Sequence, residues 1–176
     1  MFHGVQIDFS SHGLLNEFLD PNYNLRDDDY AFNRNHSLIA EKIIKKVVDV
    51  YGRDSVSIRV RPEHLSILKS IVTDNAIAMV QIDGELKSFD AMSEIRAQLP
   101  NISFCYEGEL DHKLYTSLLN DHKFDLIAIK DYFVTNPDLA ARIRKGLPLA
   151  SLDGRNPLEG KEDGYIDYPN FSLKAM

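Results

Sequence analysis

The sequence predicts an α/β fold with one parallel sheet of about five strands and helices flanking it. Three observations carry that expectation. Short β-branched runs alternate with stretches of helical periodicity, and strand, helix, strand at this rhythm makes right-handed βαβ units with parallel strands. The run Ala76–Ile82 (AIAMVQI) is almost continuously apolar, as a parallel strand covered on both faces would be. The chain has 176 residues, whereas a complete eight-stranded β/α barrel takes roughly 250, so a full barrel does not fit.

The elements follow in order. Val5 and Ile7 around Gln6 read as the first strand. Leu14, Leu15, Phe18 and Leu19 make one buried helical turn, stopped by Pro21, which lacks an N–H and restricts the residue before it. After the charged loop Arg26–Tyr30, a helix runs from His36 to Tyr51. Leu38, Ile39, Ile43, Val47 and Val50 form its core face, Glu41, Lys42, Lys45 and Lys46 line the other, and Gly52 caps it. Ser55–Val60 is the second strand, ended by Pro62. Glu63–Val72 is an amphipathic helix carrying Leu65, Leu68, Ile71 and Val72, and Ala76–Ile82 is the third strand. Ser88 caps a helix from Phe89 to Leu99, with Phe89, Met92, Ile95 and Leu99 at helical spacing. Ile102–Tyr106, Asp111–Asn120 and Asp125–Ile129 are strand, helix and strand. Asn136 then serves as an N-cap, Pro137 takes the first helical position, Asp138 faces the positive end of the helix dipole, and Gly146 closes the helix. Nothing marks a boundary, a repeat or a low-complexity tract, so residues 1–176 read as a single domain.

Composition narrows the function classes. The chain is 44% hydrophobic and carries a net charge of −7. An acidic chain without basic clusters argues against nucleic acid and anionic membrane as partners. No apolar run approaches the ~20 residues of a membrane span, and the N-terminus lacks a signal-peptide pattern. One cysteine, Cys105, excludes an internal disulfide, fits a reducing cytoplasm and reads as a small buried core residue. His3, Asp8 and His12 match no standard metal spacing, so no metal is expected. Asp27, Asp28 and Asp29 read as a solvated loop.

Several stretches carry a resemblance. Gly4-Val5, Ile7, Leu14-Leu15, Phe18-Leu19, Pro21, Asn24, Arg26, Asp28 and Tyr30 fall on the pattern G-V-E-I-H-x-A-[HN]-G-Y-L-L-x-Q-F-L-x-P-x-x-N-x-R-x-D-x-Y. Val47–Pro62 fits V-V-D-x-x-G-x-x-x-V-x-x-R-x-S-P. Asn136-Pro137-Asp138-Leu139, Arg142 and Gly146-Leu147-Pro148-Leu149 fit N-P-D-L-x-x-R-x-x-x-G-x-P-L, and Gly164-Tyr165-Ile166-Asp167-Tyr168-Pro169 fits G-Y-x-D-Y-P. These stretches resemble the old yellow enzyme family, the FMN-dependent ene-reductases that include the 12-oxophytodienoate reductases. The middle, residues 63–123, matches by element order alone.

The resemblance implies a partial, incomplete TIM-type β/α barrel holding that family's strands four to eight. It also implies where the chemistry has changed. The two substrate-anchoring positions fall on Asp8 and Ser11, or the second on His12 if one residue is inserted and one deleted. The proton-donating tyrosine falls on Gly13 or is deleted. The Gly-Arg pair that grips the FMN phosphate is replaced by Lys130-Asp131, and a second phosphate loop by Gly108-Glu109, preceded by Glu107. Arg59 matches the arginine that faces the flavin ring, although at a strand end it equally suits an ion pair with one of 27 acidic residues. The family's loop after the strand bearing Arg59 is cut short. Arg59, Gly108 and Lys130 are thus the candidate cofactor residues and His12 the candidate substrate residue; no catalytic residue is expected. Tyr165 and Tyr168 are expected to tie the tail to the barrel.

The expected function is that of a truncated, degenerate ene-reductase relative without activity and with FMN binding weakened or lost. The alternative is one part of a split FMN-dependent NAD(P)H oxidoreductase acting on an activated alkene or quinone. Five barrel strands leave two edges and an inner face uncovered, so a homo-oligomer, or a second chain supplying the missing strands, is expected.

Overall fold

The computed structural model describes residues 3–10, 13–72, 77–84, 86, 89, 91–108, 112–129, 132–151 and 162–171. Two compact units divide the chain, Met1–Ala128 and Ile129–Met176. Strands β1 (Val5–Asp8), β2 (Val56–Val60), β3 (Met79–Asp83), β4 (Ser103–Gly108) and β5 (Leu126–Ile129) lie side by side in sequence order. The β1–β2, β2–β3 and β3–β4 pairs are parallel, as strands joined by helical crossovers must be.

The sheet is two-sided. Val56, Ile58 and Val60 on β2, Val80 and Ile82 on β3 and Phe104 on β4 have no exposed surface. Burying each of the aliphatic ones is worth ~1.5–3 kcal/mol. The residues between them, Ser57, Arg59, Gln81 and Asp83, turn to the other face and stay partly exposed. This corrects the expectation of a third strand covered by apolar contacts on both sides. Gln81 and Asp83 restore strict alternation, and Ala76 lies outside the described residues.

Helices cover the apolar face. They are α1 (Leu14–Leu19), α2 (Phe32–Asn35), α3 (Leu38–Tyr51), α4 (Leu68–Val72), α5 (Ala91–Gln98) and α6 (His112–Asn120). α3 packs on β2 and α4. Its fully buried residues are Ala40 and Ile44, rather than the predicted line ending at Val50, which is 73% exposed. Gly52 does end α3, at φ 79°, with its N–H on the Val48 carbonyl at 2.8 Å. The helix expected over Glu63–Val72 instead starts as a 3-10 turn, Pro62–Ile67, before α4, and the His64 Nδ1 accepts the backbone N–H of Arg61 at 3.3 Å.

Under β4 an aromatic cluster of Phe89, Tyr106, Tyr115 and Phe124 is built from edge-on and tilted pairs 5.3 to 6.4 Å apart. The charged loop after α1 is also ordered. Asn24 donates to the Phe18 and Tyr30 carbonyls at 2.9 and 2.8 Å. Arg26 pairs with Asp28, whose carboxyl is held at about 2 chiefly by the Arg26 hydrogen bond. Asp28 is therefore a loop brace and not simply a solvated charge.

The second unit holds α7 (Tyr132–Thr135) and α8 (Leu139–Lys145). Asn136 is fully buried, but it does not cap α8. Its amide donates to the Tyr132 and Ala150 carbonyls and accepts from the Ala150 N–H. The helix begins after Asp138 instead. Arg142, 5% exposed, donates to Asp138, to Asn136 Oδ1 at 2.7 Å and to the Pro169 carbonyl at 3.0 Å. Gly146 closes α8 in the left-handed conformation, as expected. The tail backbone is thus held by the side chains of Arg142 and Asp138, the Phe171 N–H donating to Asp138 Oδ2 at 3.0 Å. Of the two tail tyrosines, Tyr165 is 52% exposed and Tyr168 is half-buried.

Candidate functional site

Strand alternation also builds the polar face. Asp8 ends β1, Asp83 ends β3, and Arg59 and Glu107 lie one residue before the ends of β2 and β4. Register pairs Asp8 with Arg59, Arg59 with Gln81 and Asp83 with Glu107. Side chains at paired and alternate positions share a face, so all five project from one side near the carboxyl ends of the strands.

Arg59 is the hub. Its Nε donates to Glu107 Oε2 and its Nη2 to Glu107 Oε1, both at 2.9 Å. The same Nη2 lies 2.9 Å from Asp83 Oδ2, and Nη1 lies 3.5 Å from Asp8 Oδ2. Burial works against the Arg59 charge, but the Glu107 hydrogen bonds and the charges of Glu107, Asp83 and Asp8 outweigh it and raise its pKa. Around this hub the remaining groups are matched. Gln81 Nε2 donates to Glu107 at 2.5 Å, and Gln6 Nε2 donates to Gln81 at 3.1 Å. Ser10 Oγ bonds Asp8 at 2.8 Å and Asp83 at 3.2 Å, while its carbonyl accepts from Arg61 Nε at 2.5 Å.

Gly108 turns the other way. A Cβ there would lie 2.7 Å from the ring of Tyr106, two residues back on the apolar face. Its carbonyl accepts the Tyr115 hydroxyl at 2.8 Å. Packing against Tyr106 accounts for the absence of a side chain. Arg59 and Gly108 therefore occupy opposite faces of the sheet. His12 and Lys130, together with Ser11, Glu109 and Asp131, lie outside the described residues.

Sequence reasoning marked Arg59 and noticed Glu107, but it did not assemble the cluster. Asp83, Gln81 and Ser10 went unremarked, and Asp8 was seen only as an altered anchor or metal candidate. A signal was present: an acid stands at or next to the end of the first, third and fourth strands. Cys105 belongs to the same face, and burial pushes its thiol up to about 11, which disfavours the thiolate. Among the described residues no helix is long and apolar enough to cross a membrane.

No family model matches the chain. Enoate reductase 1 of Kluyveromyces lactis is 26% identical over 202 residues, spanning 96% of this chain and 51% of that protein. Putative 12-oxophytodienoate reductase 3 of Oryza sativa is 28% identical, over 96% of this chain and 50% of that protein. Among solved structures, the old yellow enzyme of Trypanosoma cruzi superposes with a TM-score of 0.82 at 21% identity, covering 97% of this chain and 50% of that one. The likeness extends across nearly all of the chain, and the element order and parallel pairing agree with it. The chain therefore has the fold of a partial TIM-type barrel, it spans about half the length of the curated relatives it matches, and those relatives and structural neighbours are members of the old yellow enzyme and 12-oxophytodienoate reductase family.

Proposed function

We propose that this chain is a degenerate relative of those oxidoreductases, without ene-reductase activity, in which FMN binding is weakened or lost. One observation carries the reading: the Arg59 guanidinium is already closed by three carboxylates. An arginine facing a flavin must donate to the ring carbonyl and nitrogen and must favour the negative charge that reduction places there. Here those donors are committed to Glu107, Asp83 and Asp8. A carboxylate ~4 Å from a developing negative charge opposes it by about 4 kcal/mol at an effective dielectric of 20. Gly108 offers no cradle on that face either. The residues present do not fit the cofactor.

Arg59 and its acids serve instead as a staple. They join strands β1, β2, β3 and β4 on a face that barrel packing would otherwise fill, which suits a structural or binding role. Among the described residues β1 has one strand neighbour, so its second edge suits addition of another strand. Association with a second copy, or with a chain completing the barrel, is part of the same proposal.

The test is optical. The purified protein should be colourless and should leave the fluorescence of added FMN unquenched at micromolar concentrations. A flavin absorption band on the isolated protein would overturn the proposal. A band that arises only when a second chain is present would favour a split oxidoreductase instead.

A further inference from the structure

A cavity of about 340 Å³ opens between α1, α2 and the 3-10 turn. Two of its lining side chains are polar and more than nine-tenths buried: Asn16 at 7% exposure and His64 at 4%. Among the described residues the Asn16 amide has no hydrogen-bond partner, and His64 has one only at Nδ1, which accepts the Arg61 N–H at 3.3 Å. Among the described residues no side-chain nitrogen or oxygen is sealed away without a partner, so the unpaired atoms of both residues keep some accessible surface, and both residues line this cavity. An amide and an imidazole N–H that line one cavity without a protein partner have hydrogen bonds to give to what enters it. Keeping two such groups beside one cavity points to something that bonds them.

The chemistry of the walls selects the ligand. Asn16 offers a donor and an acceptor side by side, and the group that answers both at once is another amide. With Nδ1 occupied as an acceptor, neutral His64 carries its proton on Nε2 and donates, a state that burial favours. Leu19 and Phe32 supply apolar surface, the Phe32 ring being held in place by stacking on His36 at 5.0 Å. Asp20 and Glu63 also line the space and disfavour an anion. The volume lies at the small end of ligand pockets, roughly 300–1,000 Å³. We propose that this cavity binds a small uncharged ring compound bearing a carboxamide or lactam, held by Asn16 and His64 against Phe32.

The inference is independent of what happens at Arg59. It is tested on the whole chain by NMR titration with benzamide, using benzoate as the anion of the same shape. Benzamide should shift the Asn16 side-chain NH2 and the His64 ring signals and give NOEs to Phe32 and Leu19. Benzoate should bind at least tenfold more weakly. Asn16→Leu should lose at least tenfold in benzamide affinity while remaining folded, because the change removes unpaired polar atoms rather than a bond. Occupancy by water alone, shifts confined to other positions, or equal binding of benzoate would overturn the proposal. So would an unchanged affinity in Asn16→Leu. If that variant does not fold, the NOEs on the unsubstituted protein decide the matter alone.

Discussion

Arg59 on β2 and Glu107 on β4 meet in a two-point hydrogen bond, 2.9 Å at each arm, across the intervening strand β3. Glu107 is 7% exposed and the Arg59 side chain 21%, so the pair is largely out of water. Such a pair is a modest source of net stability when intact but costly to break. Replacing Arg59 by Met strands three carboxylates and should lower unfolding free energy by ~3 kcal/mol. Arg59→Lys should recover only part of that, since an ammonium has no planar fork. Asp8→Asn, which removes the most distant acid, should be close to neutral. Urea unfolding of the three variants checks the order; equal losses in all three would contradict the hub.

His64 gives the protein an acid-sensitive limb. Burial lowers its pKa below the usual 6.5, with Glu63 and Asp20 pulling upward and Arg61 pushing down. The unfolded chain therefore takes up the proton first. Stability contributed here is fully present above about pH 6.5 and is lost as pH falls below it. Protonation also removes the acceptor at Nδ1 that the Arg61 N–H uses. The drop in urea midpoint between about pH 7.5 and 5.5 should be smaller in His64→Gln than in the unsubstituted protein.

Cys105 should be silent in the folded state. Its thiol is 5% exposed and, with a pKa pushed to about 11 by burial, carries almost no thiolate near neutrality. Ellman's reagent at about pH 8 should react at the rate of unfolding or local opening. Fast stoichiometric labelling of native protein would show that β4 opens readily.

In the second unit Arg142 draws together Asn136, Asp138, the Pro148 carbonyl and the Pro169 carbonyl. Arg142→Met removes every one of these donors from a site that is 5% exposed and leaves buried acceptors unmatched. A loss of ~3 kcal/mol in the local stability of that unit is expected. Limited proteolysis should then cut near residues 162–171 earlier than in the unsubstituted protein. Unchanged cleavage would mean that the tail is held by other bonds.

The motif residues shared with the family turn out to be braces. Asn24 holds two loop carbonyls, Asp28 anchors Arg26, and Asn136 with Arg142 fastens the tail. Their identities were legible in the chain, but not their partners. Asn136 has the composition of an N-cap, yet its amide is drawn to the Ala150 carbonyl, fourteen residues on. Gly108 read as a phosphate loop; the ring of Tyr106 lying against it gives another cause for the same residue.

Element order, the parallel sheet and the helix stop at Gly52 were determined by the chain alone, because periodicity, β-branching and glycine act over a few residues. The core side of α3 and the fate of Arg59 were not. Arg59 and Glu107 are 48 positions apart, and only the register of the three acid-bearing strands with β2 sets Asp8, Asp83 and Glu107 around one guanidinium. A shift of one residue in any of those strands would turn its acid to the apolar face. Local sequence can supply the charges, but pairing between distant strands decides which of them meet.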